Sequence, residues 1–237
     1  MSDSRLLDSS LEPKEIYAAS RTRFPTPMAP EASFGDKASQ IAYIAERFRQ
    51  IMLCLGLDLE DPSLAKTPER VAKMYVEELF IGLDPESFPS ITLLDNRYHH
   101  SQQGNLVFVT SRFHSVCEHH FLPMVGTAYV GYVANEQIIG LSKIPRLVDH
   151  FARRPQLQER LTAQIADSLS YLLDTEQVAV SISATHFCVI ARGIQEESSQ
   201  TTSCVLRGAF ERDPLLRSQF FESISRYHAT SQRSYGS

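Results

Sequence analysis

Apolar residues in the first third of the chain recur at intervals of three or four, the spacing that places them on one face of a helix. One run begins after Asp36, a good helix-capping residue, and stops at Gly56, where a helix C-terminus favours glycine. Its apolar positions are Ile41, Ile44, Phe48, Ile51, Met52 and Leu55. A second run starts at Thr67-Pro68, with proline at the first helical position, and ends at Gly82. These patterns predict a pair of N-terminal helices.

Farther along the chain the period changes to two, the alternation of a strand with one buried face. It predicts strands over residues 91–94, 106–115, 127–133, 137–140 and 178–190, and an exposed turn over 198–204 that enters a polar strand. Helical spacing returns over 142–151 and 157–172, and a last short helix is predicted from Pro214 to Ile224. Two helices followed by a β-rich block with inserted helices predict an α+β fold.

Proline content and loss of periodicity mark the ends of the predicted domain. Residues 1–35 contain four prolines and little periodicity, so we predict a flexible or partner-docked N-terminal arm. The domain is predicted to cover residues 36–226, with a helical part at 36–83 and a sheet-containing part at 84–226. Residues 227–237 are polar and are predicted to form a loose tail.

Composition excludes several classes of protein. The net charge of −5, from 23 basic and 28 acidic residues, argues against a general nucleic-acid binder. The longest apolar run has seven residues, at 51–57, whereas a membrane-spanning helix needs about 20. Four cysteines are too few for a disulfide scaffold, and the N-terminus lacks the apolar core of a signal peptide, so we expect a cytoplasmic protein. The glycines form no dinucleotide-binding or P-loop motif, so any phosphate would need Lys and Arg side chains.

Potential metal ligands are concentrated in two segments. Residues 113–120 contain three histidines, one cysteine and one glutamate, and Cys117 and His120 stand three residues apart, close enough to bind one ion. His186 and Cys188 follow at the end of the predicted strand over 178–190. Thiolate and imidazole are the ligands that zinc prefers, and three protein ligands leave a position for a water whose pKa zinc lowers to about 7. A buried cysteine beside surface histidines is the alternative interpretation, and these residues alone do not choose between His119 and His120 as the ligand.

A basic segment follows the first cluster. Residues 142–160 carry five basic and two acidic side chains, a local charge of +3 that suits a small polyanion such as a triphosphate. A solvated helix face explains such a segment equally well. Arg192 adds a cation four residues after Cys188. Gln158 and Glu159 could present an amide and a carboxylate to a base edge, although exposed helix residues are the more common explanation.

Several motifs, in order and at the expected spacing, resemble the signature blocks of the GTP cyclohydrolase I family. They are Lys-Thr-Pro-Glu-Arg-Val-Ala-Lys-Met-Tyr at 66–75, Ser-Val-Cys-Glu-His-His at 115–120, Ile-Gly-Leu-Ser-Lys-Ile-Pro-Arg at 139–146, Arg-Pro-Gln-Leu-Gln-Glu-Arg-Leu at 154–161, Ala-Thr-His-Phe-Cys at 184–188 and Ala-Arg-Gly-Ile at 191–194. The resemblance covers residues 36 to about 225 and leaves out the N-terminal arm and the tail.

The resemblance implies a tunnelling fold (T-fold), in which a pair of N-terminal helices precedes a four-stranded antiparallel sheet carrying two helices. It implies an enzyme that converts GTP and water into 7,8-dihydroneopterin triphosphate and formate, the first step of pterin and folate biosynthesis. Family members form homodecamers of two pentamers with active sites between subunits. Each subunit would bind one Zn²⁺ through Cys117, His120 and Cys188.

The resemblance also implies roles for the neighbouring residues. His119 and His186 would transfer protons, with His186 acting on the imidazole ring of guanine, and Glu159 with Gln158 would hold the guanine edge. The triphosphate would be bound by Ser142, Lys143, Arg146 and Arg192, with Arg70 and Lys73 as further candidates from a neighbouring subunit. Two alternatives remain, a non-catalytic GTP-binding regulatory homologue and a T-fold enzyme that acts on another purine or deazapurine.

Overall fold

The computed structural model describes residues 24–29, 36–96 and 105–234. Its helices are α1 (Lys37–Cys54), α2 (Thr67–Lys73), α3 (Lys143–Ala152), α4 (Gln158–Leu172), α5 (Phe187–Ile190), α6 (Ala209–Arg212) and α7 (Pro214–Ser234). Its strands are β1 (Leu93–Asp95), β2 (Asn105–Cys117), β3 (Pro123–Ala134), β4 (Gln137–Ile139), β5 (Pro155–Gln156), β6 (Val178–His186) and β7 (Thr201–Leu206). None of the helices in these ranges has the length and apolar character needed to cross a bilayer.

The predicted N-terminal helix pair is confirmed as α1 and α2. The Asp36 carboxylate accepts hydrogen bonds from the backbone N–H groups of Ala38 and Ser39, at 3.3 and 3.0 Å, so it caps α1 as expected. Gly56 has φ of 80° just after this helix, a conformation that glycine adopts without strain. Helix α2 continues as a π-helical segment, Met74–Leu79, in which the N–H of Phe80 bonds to the carbonyl of Tyr75.

The α+β fold is also confirmed. The main sheet has the strand order β5-β2-β3-β6-β7, in which β2, β3, β6 and β7 are antiparallel neighbours and the two-residue β5 runs parallel to the end of β2. Strands β1 and β4 form a separate antiparallel pair. In the main sheet Val116 lies opposite Pro123, and Met124 lies opposite His186. Because β3 pairs with both β2 and β6, the ends of those two strands meet on either side of the start of β3.

The two faces of the sheet bury different helices. Helices α3 and α4 cover one face, where their apolar side chains pack with the alternate β6 residues Val178, Val180, Ile182 and Ala184. Helix α7 lies on the other face, with Phe220 packed near Tyr129. A Cβ on Gly131 would lie 2.8 Å from the ring of Phe220, so β3 needs glycine there for α7 to approach. Two helices on a four-stranded antiparallel sheet is the arrangement that the sequence resemblance implied.

Two predicted element ends were wrong. The strand predicted over 178–190 ends at His186, because pairing with β3 stops at His186 and pairing with β7 stops at Ala184. The unpaired chain turns instead into the short helix α5. The last helix, predicted to end at Ile224, continues to Ser234, and residues 227–234 are therefore helical. Contact with the sheet explains this extension, since Tyr227 packs against the cluster that contains Tyr129, and His228 Nε2 lies 2.9 Å from the Tyr129 hydroxyl.

Part of the predicted N-terminal arm is docked on α4. Thr26 is only 5% exposed, and the side-chain amide of Gln164 donates a 2.8 Å hydrogen bond to the carbonyl of Phe24. These contacts fix residues 24–29 against the domain, whereas residues 1–23 and 30–35, and 235–237 of the predicted tail, lie outside the described ranges.

Replacing Gly82 with alanine is expected to destabilise the domain by about 3 kcal/mol, because overpacking at a rigid contact displaces backbone. The added Cβ would lie 2.1 Å from the carbonyl oxygen of His150 and 2.7 Å from that of Arg153. The midpoint of urea unfolding measures the effect. Gly140→Ala is the matched control, since its Cβ would meet Lys143 Cγ at 3.5 Å, an ordinary contact. Equal midpoints for the two variants would contradict the prediction.

Candidate active site

Three potential metal ligands converge where β2 and β6 end. Cys117 is the last residue of β2, His120 follows three residues later, and Cys188 lies in α5 just after β6. The two sulfur atoms and one imidazole nitrogen all lie within 4.8 Å of one another. The register of the sheet causes this meeting, because β3 brings the ends of its two neighbours together. Cys117 is buried, Cys188 is partly buried and His120 is exposed, so the group opens to solvent on the imidazole side.

The chain between the ligands forms a tight turn. The N–H of Phe121 donates to the carbonyl of Cys117 at 2.9 Å, and the N–H of Cys117 donates to the carbonyl of Leu122 at 2.8 Å. Phe121 has φ of 52°, a left-handed conformation that non-glycine residues adopt only when their surroundings hold them there. Its ring packs on Tyr75 and Phe80, with centroid distances of 6.4 and 5.4 Å. The π-helical segment therefore supports the turn that carries His120.

An ion pair fixes the same turn from the other side. The Arg160 guanidinium donates to both carboxylate oxygens of Glu118, at 2.5 and 3.4 Å, and both side chains are mostly buried. The N–H of Glu118 also donates to the carbonyl of Gln156 at 3.1 Å. Arg160, one of the basic residues counted toward a polyanion site, is thus engaged with the ligand turn. A bidentate pair of this kind adds geometric precision as well as energy.

The donor set fits a thiophilic cation. Burial raises the pKa of the Cys188 thiol, and the neighbouring Cys117 raises it further, whereas Arg192 lowers it. The Cys188 thiol therefore resists ionisation in the free protein, whereas a bound cation stabilises the thiolate form of its cysteine ligands. Two sulfur ligands and one imidazole match the preference of zinc, and three protein ligands are typical of a catalytic centre.

The two other histidines lie beside this group. His119 is exposed, and its Nδ1 is 3.9 Å from Cys117 Sγ. The histidine that lies within 4.8 Å of both Cys117 and Cys188 is His120, the ligand that the resemblance implied. His186 is partly buried at the end of β6, and burial lowers its pKa while the charge of Glu159 raises it. Glu159 is exposed in the first turn of α4, near enough to His186 to act on its charge.

The side chain of Gln158, which was predicted to hold the guanine edge with Glu159, is directed into the protein. It is only 2% exposed. Its Nε2 lies 3.0 Å from the carbonyl of Ile182 and 3.1 Å from that of Thr201, and its Oε1 lies 2.8 Å from His186 Nε2. These bonds occupy the amide on both sides. The physical reason is the packing of α4 on β6 and β7, which turns the first residue of the helix toward the sheet.

The predicted triphosphate-binding residues belong to several different elements of the chain. Arg192 lies near the metal group, since its charge lowers the pKa of Cys188. Arg146 lines a cavity of about 770 Å³ together with Ser111, which stands six residues before Cys117 in β2. Six strand residues span about 20 Å. Ser142 precedes α3, and Lys143 is the first residue of that helix.

Arg70 and Lys73 are exposed on α2. The residues that sequence reasoning missed are Glu118, Arg160 and the rings of Tyr75, Phe80 and Phe121. Opposite charges at 118 and 160 were visible in the sequence. Nothing in the sequence indicated that residues 42 positions apart would pair.

Replacing Arg160 with methionine is expected to weaken zinc binding by about 10- to 100-fold, the usual cost of losing a residue that orients a ligand. The change leaves the Glu118 carboxylate half-buried and unpaired, so the turn carrying His120 loosens. Competition with a chromogenic chelator measures the affinity. Arg226→Met is the matched control, since it removes an exposed ion pair with Glu222 on α7. Unchanged zinc affinity in Arg160→Met would refute the role given to the pair.

Comparison with known proteins agrees with this geometry. The family model described as GTP cyclohydrolase I matches residues 44–225. The chain is 44% identical over 207 residues to GTP cyclohydrolase 1 of Vibrio cholerae, covering 87% of this chain and 94% of that protein. It is 46% identical over 202 residues to GTP cyclohydrolase 1 of Aeromonas hydrophila, covering 85% and 90%. It is 45% identical over 203 residues to GTP cyclohydrolase 1 of Salmonella arizonae, covering 86% and 90%. The match spans the helix pair, the T-fold sheet and the cysteine–histidine group, and the chain belongs to the GTP cyclohydrolase I family.

Proposed function

We propose that this chain hydrolyses the imidazole ring of the guanine in GTP, yielding formate and 7,8-dihydroneopterin triphosphate with net consumption of one water. This reaction is the first step of pterin and folate biosynthesis. The observation that carries the proposal is the group formed by Cys117, His120 and Cys188, with His119 and His186 beside it. Opening an aromatic ring by water needs an activated water and groups that move protons to the ring nitrogens, and this site offers both.

The metal in this proposal is zinc, one ion per subunit. Cys117, His120 and Cys188 would hold it, since two thiolates and an imidazole favour zinc over magnesium or calcium. When bound, zinc supplies a Lewis acid and a water of lowered pKa.

The chain's own residues orient the substrate and move protons. His186 exchanges a proton with the imidazole ring of guanine, and His119 holds or moves a proton on the Cys117 side of the site. Glu159 accepts hydrogen bonds from the N–H groups on the pyrimidine edge of guanine, because an exposed carboxylate is an acceptor on both oxygens. Arg192 places a permanent positive charge beside the metal group and attracts the phosphates.

The remaining triphosphate contacts come, in this proposal, from neighbouring subunits. The position of Arg146 supports this, since it lines a cavity with Ser111, and the six strand residues from Ser111 to Cys117 span about 20 Å. Ser142 and Lys143 belong to the same group, and Arg70 and Lys73 are further candidates. Among the residues that the structure describes, β7 pairs on one side alone and β5 covers only two residues of β2, so both edges of the antiparallel sheet are largely unpaired. Such edges favour a closed ring of copies, and we propose a homodecamer of two pentamers.

Mixing two inactive variants tests this sharing of sites. We expect Cys188→Ser and Arg146→Ala each to lack turnover alone and to regain it when the two chains are co-expressed. If each site takes its metal from one subunit and its arginine from another, random mixing restores about a quarter of the sites. Formate release by the purified mixed oligomer is the measurement. Mixed oligomers without activity would place both residues in the same subunit's site.

Anaerobic incubation of the purified protein with GTP tests the reaction itself. We expect formate and the near-ultraviolet absorbance of the pterin to appear together, and both to be lost after chelation. If GTP binds but is not converted, the protein has a regulatory role and the proposed reaction is wrong. No binding at all would indicate another T-fold chemistry.

We also propose a cytoplasmic location. All four cysteines are free thiols in the structure, which suits a reducing compartment.

A further inference from the structure

The buried amide of Gln158 has a fixed orientation. Its Nε2 faces two backbone carbonyls, those of Ile182 and Thr201, and the hydroxyl of Ser203 at 3.1 Å. A carbonyl oxygen accepts hydrogen bonds and cannot donate them. The nitrogen of the amide must therefore face these carbonyls, and a flipped amide would set oxygen against oxygen. The Oε1 is left facing His186.

This orientation determines where the proton sits on His186. Gln158 Oε1 and His186 Nε2 are 2.8 Å apart, a hydrogen-bond distance. Because the amide oxygen can only accept, the imidazole Nε2 must carry the hydrogen. That is true of both the neutral and the protonated ring. The bond to Gln158 therefore fixes both the orientation of the ring and the position of this hydrogen.

Gln158 is itself held by three elements. It is the first residue of α4, its carbonyl accepts a 2.7 Å hydrogen bond from the Thr162 hydroxyl, and that hydroxyl lies 2.6 Å from the Ser203 hydroxyl on β7. Its amide also bonds to Ile182 on β6. The side chain therefore ties the orientation of His186 to the body of the sheet.

We propose that Gln158 is a positioning residue, whose Oε1 accepts a hydrogen bond from His186 Nε2 and so fixes the orientation of that ring and the position of its hydrogen. The Gln158 side chain then takes no part in holding the guanine edge, which is left to Glu159. This inference rests on the proposed reaction for the role of His186, whereas the position of the hydrogen stands on the geometry alone.

Kinetics and binding separate a positioning role from a guanine contact. We expect Gln158→Met, which fills similar space without an acceptor, to lower kcat by about 10- to 100-fold. The Kd of GTP for the metal-depleted protein, measured by calorimetry, should stay within about twofold of the wild type. A guanine contact would instead weaken this Kd by about tenfold, the factor for 1.4 kcal/mol, with a smaller effect on kcat. That result would overturn the proposal.

Gln164→Met is the matched control. Gln164 is also buried in α4, and its amide bonds to Phe24 and Gln156, away from His186. We expect it to lower the midpoint of thermal unfolding about as much as Gln158→Met while leaving kcat nearly unchanged. Equal losses of kcat in the two variants would mean that Gln158 acts only through stability, and would overturn the proposal.

Nuclear magnetic resonance of the wild type locates this hydrogen directly and requires no turnover. With ring-¹⁵N histidine, the signal of His186 among the eight histidines is assigned by its absence in His186→Gln. We expect a protonated-type Nε2 and an unprotonated-type Nδ1 in the neutral ring. Hydrogen on Nδ1 would overturn the inference. Absence of formate release from GTP by the wild type would refute the proposed function and leave this result standing.

Discussion

Cys188→Ser is expected to remove both the bound metal and the release of formate, with turnover reduced by about 10³-fold or more, because the metal provides the main electrostatic stabilisation. Serine has a side chain of similar size but carries a hydroxyl in place of the thiolate. A hydroxyl is a far weaker zinc ligand than a thiolate. Cys117 and His120 then remain as two ligands, too few to retain the ion. The fold should survive, since Cys188 lies in a short surface helix after β6.

Elemental analysis of metal per chain, together with formate release, measures this effect. Cys204→Ser is the matched control, because Cys204 is an exposed free thiol on β7 outside the metal group. We expect that control to bind one metal per chain with full activity. The ligand assignment would be wrong if Cys188→Ser also kept one metal per chain and full activity.

His186→Gln is the second substitution with a large expected effect. We expect kcat to fall by about 10²- to 10⁴-fold, the range for losing a positioned general acid or base. Metal content should be unchanged, because His186 is not one of the three side chains that meet within 4.8 Å. The affinity for GTP should change little, since the imidazole acts on the ring during the reaction.

Formate release, metal content and GTP binding are measured on the same preparation. His114→Gln is the matched control, because His114 is an exposed histidine on β2 in the same sequence cluster. A loss of metal in His186→Gln would instead identify His186 as a ligand. Full turnover in this variant would assign proton transfer to another group, with His119 the nearest candidate.

Local signals in the sequence determined most of the secondary structure. The start of α1 was predicted by Asp36, which precedes apolar residues spaced three to four apart, and the start of α2 was predicted by proline at position 68. Both signals are local, because helix capping and proline geometry act over a few residues. Alternation over 178–190 predicted a strand whose first nine residues form β6, since that strand has one face against α3 and α4. The cysteine and histidine residues of the site could be recognised in the sequence for the same reason. Side chains that bind one ion often lie close together in short segments of the chain.

Contacts between distant segments were decided by the tertiary structure. The end of β6 at His186 depends on where β3 and β7 stop pairing, and the length of α7 depends on its packing against Tyr129. No local pattern carries that information.

The inward direction of Gln158 and the pairing of Glu118 with Arg160 have the same origin. A glutamine and a glutamate next to one another in a sequence look equally available to a ligand. Packing of α4 on the sheet turned Gln158 toward the carbonyls of β6 and β7 and left Glu159 exposed. The sequence by itself thus determined the kind of chemistry, because ligand types and helix signals are local. The tertiary structure decided which side chains support that chemistry, because burial and hydrogen-bond direction arise only when strands and helices meet.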